Sequence, residues 1–119
     1  MKQKPVVTYQ LVLLLKKTIT LQIGALGKFT FPAGKYVYTG SAKKNFDQRI
    51  KRHFKKKKAL RWHIDYLTSH RFVKIIEVKK FSEEECHINQ QTPGKTIVPG
   101  FGSSDCRKKC GAHLKYLGE

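Results

Sequence analysis

The stretch Pro5 to Leu15, "PVVTYQLVLLL", constrains this chain more than any other. It is apolar almost throughout, with no alternation that would leave one face for water. Such a run reads as a strand covered on both sides, so a sheet must be built around it as a central member. The segments that follow read as its companions. "TITLQIG" and "KFTFPAG" alternate and are separated by Gly24 and Gly27, the pattern of a hairpin occupying residues 18 to 31. "KYVYTG" is a fourth strand ending at Gly40. Asn45 then reads as an N-cap with Gln48 at the third helical position, and Phe46, Ile50 and Phe54 form one apolar stripe at i, i+4, i+8. "LRWHIDYL" reads as a second helix with Leu60, Ile64 and Leu67 inward. "RFVKIIEV" is a further strand, followed by a helix in "EEECHIN", where Ser82 as N-cap and Glu85 three residues on would make a capping box. "GAHLKYL" suits a last short strand after the loop-rich "TPGKTIVPGFGSSD". This order predicts an α/β fold of the mixed α+β kind: one domain over residues 1–119, with a small central mixed sheet, flanking helices and an inserted β-hairpin.

Charge narrows the function. The chain carries 25 Lys plus Arg against 8 Asp plus Glu, a formal net charge of +17. That excess favours a polyanionic partner, most often nucleic acid, whether DNA or RNA, with an anionic membrane the weaker option. No uninterrupted apolar run is long enough to span a bilayer and the start lacks a signal-peptide core, which argues against a membrane partner and for a cytoplasmic home. Between Lys43 and Arg61 there are ten Lys or Arg and a single acid, Asp47. Lys43, Lys44, Lys51, Arg52, Lys55, Lys56, Lys57, Lys58 and Arg61 are the expected phosphate contacts. A solvated lysine loop and a helix-capping acidic cluster, Glu83 to Glu85, are the purely structural alternatives.

Within this basic stretch, Arg49 and His53 stand one turn apart on the rim of the apolar stripe, while Lys51 and Arg52 point toward water. The short loop from Gly40 to Lys44 brings the Tyr38 end of its strand beside the helix start. A phenol, a guanidinium and an imidazole in one depression are parts that phosphodiester cleavage uses; they are equally parts of a phosphate clamp that does not cut.

Tyr38-Thr39-Gly40-Ser41-Ala42 followed by Arg49 and His53 resembles the second half of the GIY-YIG nuclease signature. Val7-Thr8-Tyr9 is similar to the first half, with Val7 where the family has glycine. "WHIDYL" and "PGFGSSDC" resemble a small stand-alone, Uri-type branch of that superfamily, and the likeness runs from Thr8 to Leu117. The resemblance implies a metal-dependent endonuclease acting on DNA, using Mg²⁺ or Mn²⁺. It implies that Tyr9 and Tyr38 activate water and orient the phosphate. Arg49 would stabilise charge on that phosphate, and His53 would match a histidine found in part of the family. Glu85 would supply the metal carboxylate. Tyr9 and Tyr38 are 29 positions apart, wider than the family's usual spacing, with the hairpin as the extra length. Ser41 stands where some members carry lysine, so Lys43 or Lys44 would substitute. A catalytic domain this small would draw specificity from a protein partner.

Cys86, Cys106, Cys110 and His113 raise a separate question. Cys106, Cys110 and His113 have C-x3-C-x2-H spacing, and Cys86 could complete a tetrahedral structural Zn²⁺ site. The alternative is three incidental thiols in a reducing compartment. Asp65 is expected to pair with Arg61 at i, i+4, and Trp62 to pack or to offer a base-stacking platform.

Overall fold

A computed structural model describes residues 5–42, 44–101 and 112–119. The expected central strand is β1, Thr8–Leu15. It pairs on one side with β4, Gly34–Ser41, and on the other with β5, Val73–Phe81; β6, Leu114–Gly118, closes the far side of β4. The order is β5-β1-β4-β6. The chain is α+β with an inserted hairpin, as the sequence predicts. Among the described residues every strand pair is antiparallel, where the sequence reading expects a mix of strand directions. The hairpin of β2, Ile19–Ile23, and β3, Gly27–Phe31, forms a separate two-stranded sheet, turning through a 3₁₀ segment at Gly24–Leu26.

Strand alternation divides β1 into two sets of side chains. Tyr9, Leu11, Leu13 and Leu15 join one large core with Phe31, Tyr36, Tyr38, Ile64, Leu67, Phe101 and Leu114. Gln10 belongs to the other set. Its amide donates to Thr39 Oγ1 at 3.1 Å and to Thr92 Oγ1 at 2.6 Å, tying the sheet to the end of α3, Glu85–Gln91. Helices α1, Phe46–Phe54, and α2, His63–Thr68, are the remaining helices among the described residues.

Three helix readings need correction. The buried face of α1 is not Phe46–Ile50–Phe54. Phe54 is 53% exposed, and His53 is fully buried in its place. The register of the stripe is therefore shifted by one residue at its C-terminal end, because His53 finds a hydrogen-bond partner inside. Leu60 is exposed and precedes α2, which begins at His63. Finally, α3 starts at Glu85 with Glu84 as N-cap, and no side-chain cap forms, so the capping box from Ser82 is absent. Asn45 does cap α1 by position, but in the left-handed conformation (φ 55°) and without a side-chain hydrogen bond.

Candidate active site

Register places the first residues. Tyr9 on β1 faces Gly40 on β4. Its ring lies across that glycine: a Cβ at Gly40 would fall 2.6 Å from both Cζ and Oη of Tyr9 and 3.0 Å from the Tyr38 ring. Gly40 is thus needed for the space it leaves. The Tyr9 hydroxyl reaches α1 and shares a hydrogen bond of 2.7 Å with His53 Nε2. The Tyr9 and Tyr38 ring centres are 6.5 Å apart, and Tyr38 lies 6.2 Å from the His53 ring. Phe46 meets Tyr9 edge-on at 5.8 Å.

Arg49 stands on the same helix. Its guanidinium donates to the Ser41 carbonyl at 2.9 Å and lies 4.9 Å from the centre of the Trp62 ring. Arg52 covers Trp62 too, at 4.5 Å. Trp62, half-buried, is therefore a packing plate for two guanidiniums, and Arg52 does not point to water as expected. Arg52 instead makes a two-pronged ion pair with Asp65 (2.8 and 3.0 Å). Asp65 is fully buried and also accepts the backbone N–H groups of Arg61 and Trp62, each at 2.9 Å. The expected Arg61–Asp65 side-chain pair gives way to this arrangement, since Arg52 offers the planar fork a carboxylate matches best. Burial pushes the Asp65 carboxyl up, but the hydrogen bonds from Arg52, Trp62 and Arg61 outweigh it and hold the group below its ordinary value.

Glu85 opens α3 and is half-buried, whereas Glu83 and Glu84 are exposed. Its carboxylate lies 3.6 Å from His113 Nδ1, which itself sits 3.2 Å from the Thr39 carbonyl. His113, sequence-flagged for zinc, thus stands beside the carboxylate at the tyrosine end of β4. One turn along, buried Asn89 donates to the Ala112 carbonyl at 2.9 Å.

The electrostatics are those of a covered site. Burial raises the Tyr9 hydroxyl well above its ordinary value, with Arg49 opposing and Glu85 adding to the rise. Tyr38 rises for the same reason, helped by Tyr9 and Glu85. Burial, then the Lys58 charge, pushes His53 down to about 4, so the imidazole is neutral at physiological pH. Its Nδ1 has no hydrogen-bond partner among the described residues. Tyr9, Tyr38, Arg49, His53 and Glu85 therefore lie within one electrostatic neighbourhood.

The basic run is less uniform than its sequence. Lys56 Nζ donates to the carbonyls of Thr68, His70 and Val73. Lys58 Nζ donates to the carbonyls of Arg52 and His53 and to Thr68 Oγ1. These amines satisfy carbonyls at the ends of α2 and α1, a role that a lysine run does not announce. Lys44, Lys51, Lys55, Lys57 and Arg61 are exposed, and Lys43 lies outside the described residues. Lys80, which the sequence did not single out, pairs with Tyr9 across the strands and holds its amine 5.8 Å from the Phe46 ring. Only strand register could have found it.

The zinc reading does not survive at Cys86, which is disulfide-bonded and so offers no thiolate. Cys106 and Cys110 lie outside the described residues. Among the described residues no three His, Cys, Asp or Glu side chains gather as a metal cage. No helix among them is long and apolar enough to cross a membrane.

Fold and site together define a strongly basic α+β protein with a covered tyrosine–histidine–arginine cluster and a half-buried carboxylate in its electrostatic neighbourhood. The chain belongs to the family described as a domain of unknown function, DUF123, which it matches over residues 8–119. No curated protein and no solved structure matches it.

Proposed function

We propose that this protein is a metal-dependent endonuclease of the GIY-YIG type that hydrolyses DNA phosphodiester bonds. The observation that carries the reading is the 2.7 Å hydrogen bond between Tyr9 Oη and His53 Nε2, with Tyr38 and Arg49 around it. A water aligned on the phosphorus would give a proton to the Tyr9 oxygen as the Tyr9 hydroxyl proton passes to neutral His53. The hydroxide forms the new P–O bond, the bond to the leaving oxygen breaks, and that oxygen takes a proton from solvent. Negative charge arriving with the substrate raises the proton affinity of both groups. Arg49 supplies positive charge where the phosphate becomes more anionic.

Glu85 is the residue that would hold a magnesium-type ion. Its side chain is 25% exposed, and such ions need only one or two carboxylates with water completing the shell. When bound, the ion would supply charge stabilisation at the phosphate oxygens. His113 would orient the carboxylate.

The alternative is a basic nucleic-acid-binding module that does not cut. It is favoured by the cover over the tyrosines, with Tyr9 2% and Tyr38 8% exposed, and by the Arg49 contact to Ser41. Incubation of duplex, single-stranded and branched DNA, with RNA counterparts, in Mg²⁺ or Mn²⁺ separates the two. The nuclease reading expects cleavage that chelation stops and that Tyr9→Phe lowers by at least about a hundredfold, the lower bound for general acid–base catalysis. Binding without cleavage of any substrate leaves the module.

A further inference from the structure

His53 also borders a depression of about 240 Å³ whose other lining residues the catalytic reading does not use. It is lined by His53, Phe54, Lys56, Thr68, Val73, Lys74 and Ile75. We propose that it receives one unpaired nucleobase of the bound strand, stacked on Phe54; this rests on the proposed nucleic-acid function.

Three observations point there. First, Phe54 is 53% exposed, although it ends a helix whose neighbouring His53 is buried. A large aromatic left open at the edge of a depression, amid Lys51, Lys55 and Lys57, is the combination single-strand binders use: cations follow the phosphates and a ring face takes a base. Second, the volume falls below the roughly 300–1,000 Å³ of sites for drug-sized ligands, which suits a single planar group. Third, the wall includes β5, an edge strand of the sheet. Val73 turns its backbone outward, its N–H donating to the His70 carbonyl and its own carbonyl accepting from Lys56. The side chain of Ile75 lines the same wall, and the β1–β5 register shifts directly beyond its pairing with Leu13, so the ladder is broken at this edge. His53 contributes to this wall and also holds Tyr9, so a base seated here would lie one side chain from the Tyr9 hydroxyl. An unpaired base fits and a stacked, paired one does not, since only the former can leave its neighbours.

The test compares Phe54→Ala, Phe54→Trp and the parent on a matched duplex and on the same duplex with one bulged 2-aminopurine. The parent should bind the bulged duplex more tightly and quench its fluorescence. Phe54→Ala should lose roughly five- to a hundredfold on the bulged duplex, the range for one base–aromatic stack, while matched-duplex affinity and the salt slope stay put. Phe54→Trp should restore both preference and quenching. Equal binding of the two duplexes by the parent, or Phe54→Ala indistinguishable from it, overturns the base pocket and leaves DNA binding standing. If the parent binds neither duplex, the proposed function fails and the base pocket falls with it.

Discussion

Gly40 determines where the Tyr9 ring can lie, and Tyr9 in turn determines what His53 does. Adding one methyl group at residue 40 would overlap the phenol, whose other side is held by Phe46 and His53. Gly40→Ala should therefore cost about 1–3 kcal/mol, the usual range for overpacking, and break the Tyr9–His53 hydrogen bond; urea unfolding measures the first. His53 makes a second prediction. Its folded pKa of about 4 lies below the ordinary 6.5, so the unfolded chain binds more protons between those values. Its stabilising contribution is fully present above pH 6.5 and is lost as pH falls toward 4, on the order of 3 kcal/mol at most. Unfolding midpoints between pH 7 and pH 4 should fall steeply for the parent and distinctly less for His53→Gln. Equal slopes would mean that the imidazole is not held neutral.

At the scale of elements, the lysine run after α1 divides in two. Lys55, Lys56 and Lys57 are all exposed and Lys58 is half-buried, yet the amines of Lys56 and Lys58 hold the ends of α2 and α1. Burial pushes Lys58 down to about 8. Replacing Lys55 and Lys57 with glutamine should reduce the slope of log K against log salt by nearly one for each lost duplex phosphate contact, alike for all sequences. Stability should stay within about 0.5 kcal/mol. Lys56→Met or Lys58→Met should instead lower stability by about 0.5–1.5 kcal/mol by removing the donors to part-buried carbonyls. A salt-slope change from Lys56→Met as large as that from Lys55 and Lys57 would contradict the division. The sequence displays the run but not this split, because the groups involved, the carbonyls of residues 68 to 73 for Lys56 and those of Arg52 and His53 with the Thr68 hydroxyl for Lys58, meet the amines only after folding. The same limit explains Asp65. A spacing of four nominated Arg61, whereas Arg52, thirteen positions away, arrives from the neighbouring helix.

For the whole molecule, the strands were the legible part. The apolar run of β1, the hairpin and the order of helices all follow from period and turn residues. The antiparallel direction of every pair does not, since alternation is the same whichever way a strand runs. Helix ends are less legible, at Phe54, Leu60 and Ser82, because tertiary burial of His53 and the late starts of α2 and α3 override local pattern. The site residues were nominated by motif, and the fold gathers Tyr9, Tyr38, Arg49 and His53 from two strands and a helix. Motif includes Gly40 and Trp62 but not what they do, Gly40 leaving space for the Tyr9 ring and Trp62 lying under two guanidiniums, nor the place of His113 beside Glu85. The central claim is that these residues form a cutting site and not only a clamp. The most direct measurement separates the two in Glu85→Gln, by following DNA binding without metal and cleavage with Mg²⁺ or Mn²⁺ on the same substrate. The claim predicts binding as tight as the parent's or tighter, since a negative charge beside the phosphate is gone, with cleavage lost. Cleavage at the parent's rate by Glu85→Gln would contradict it.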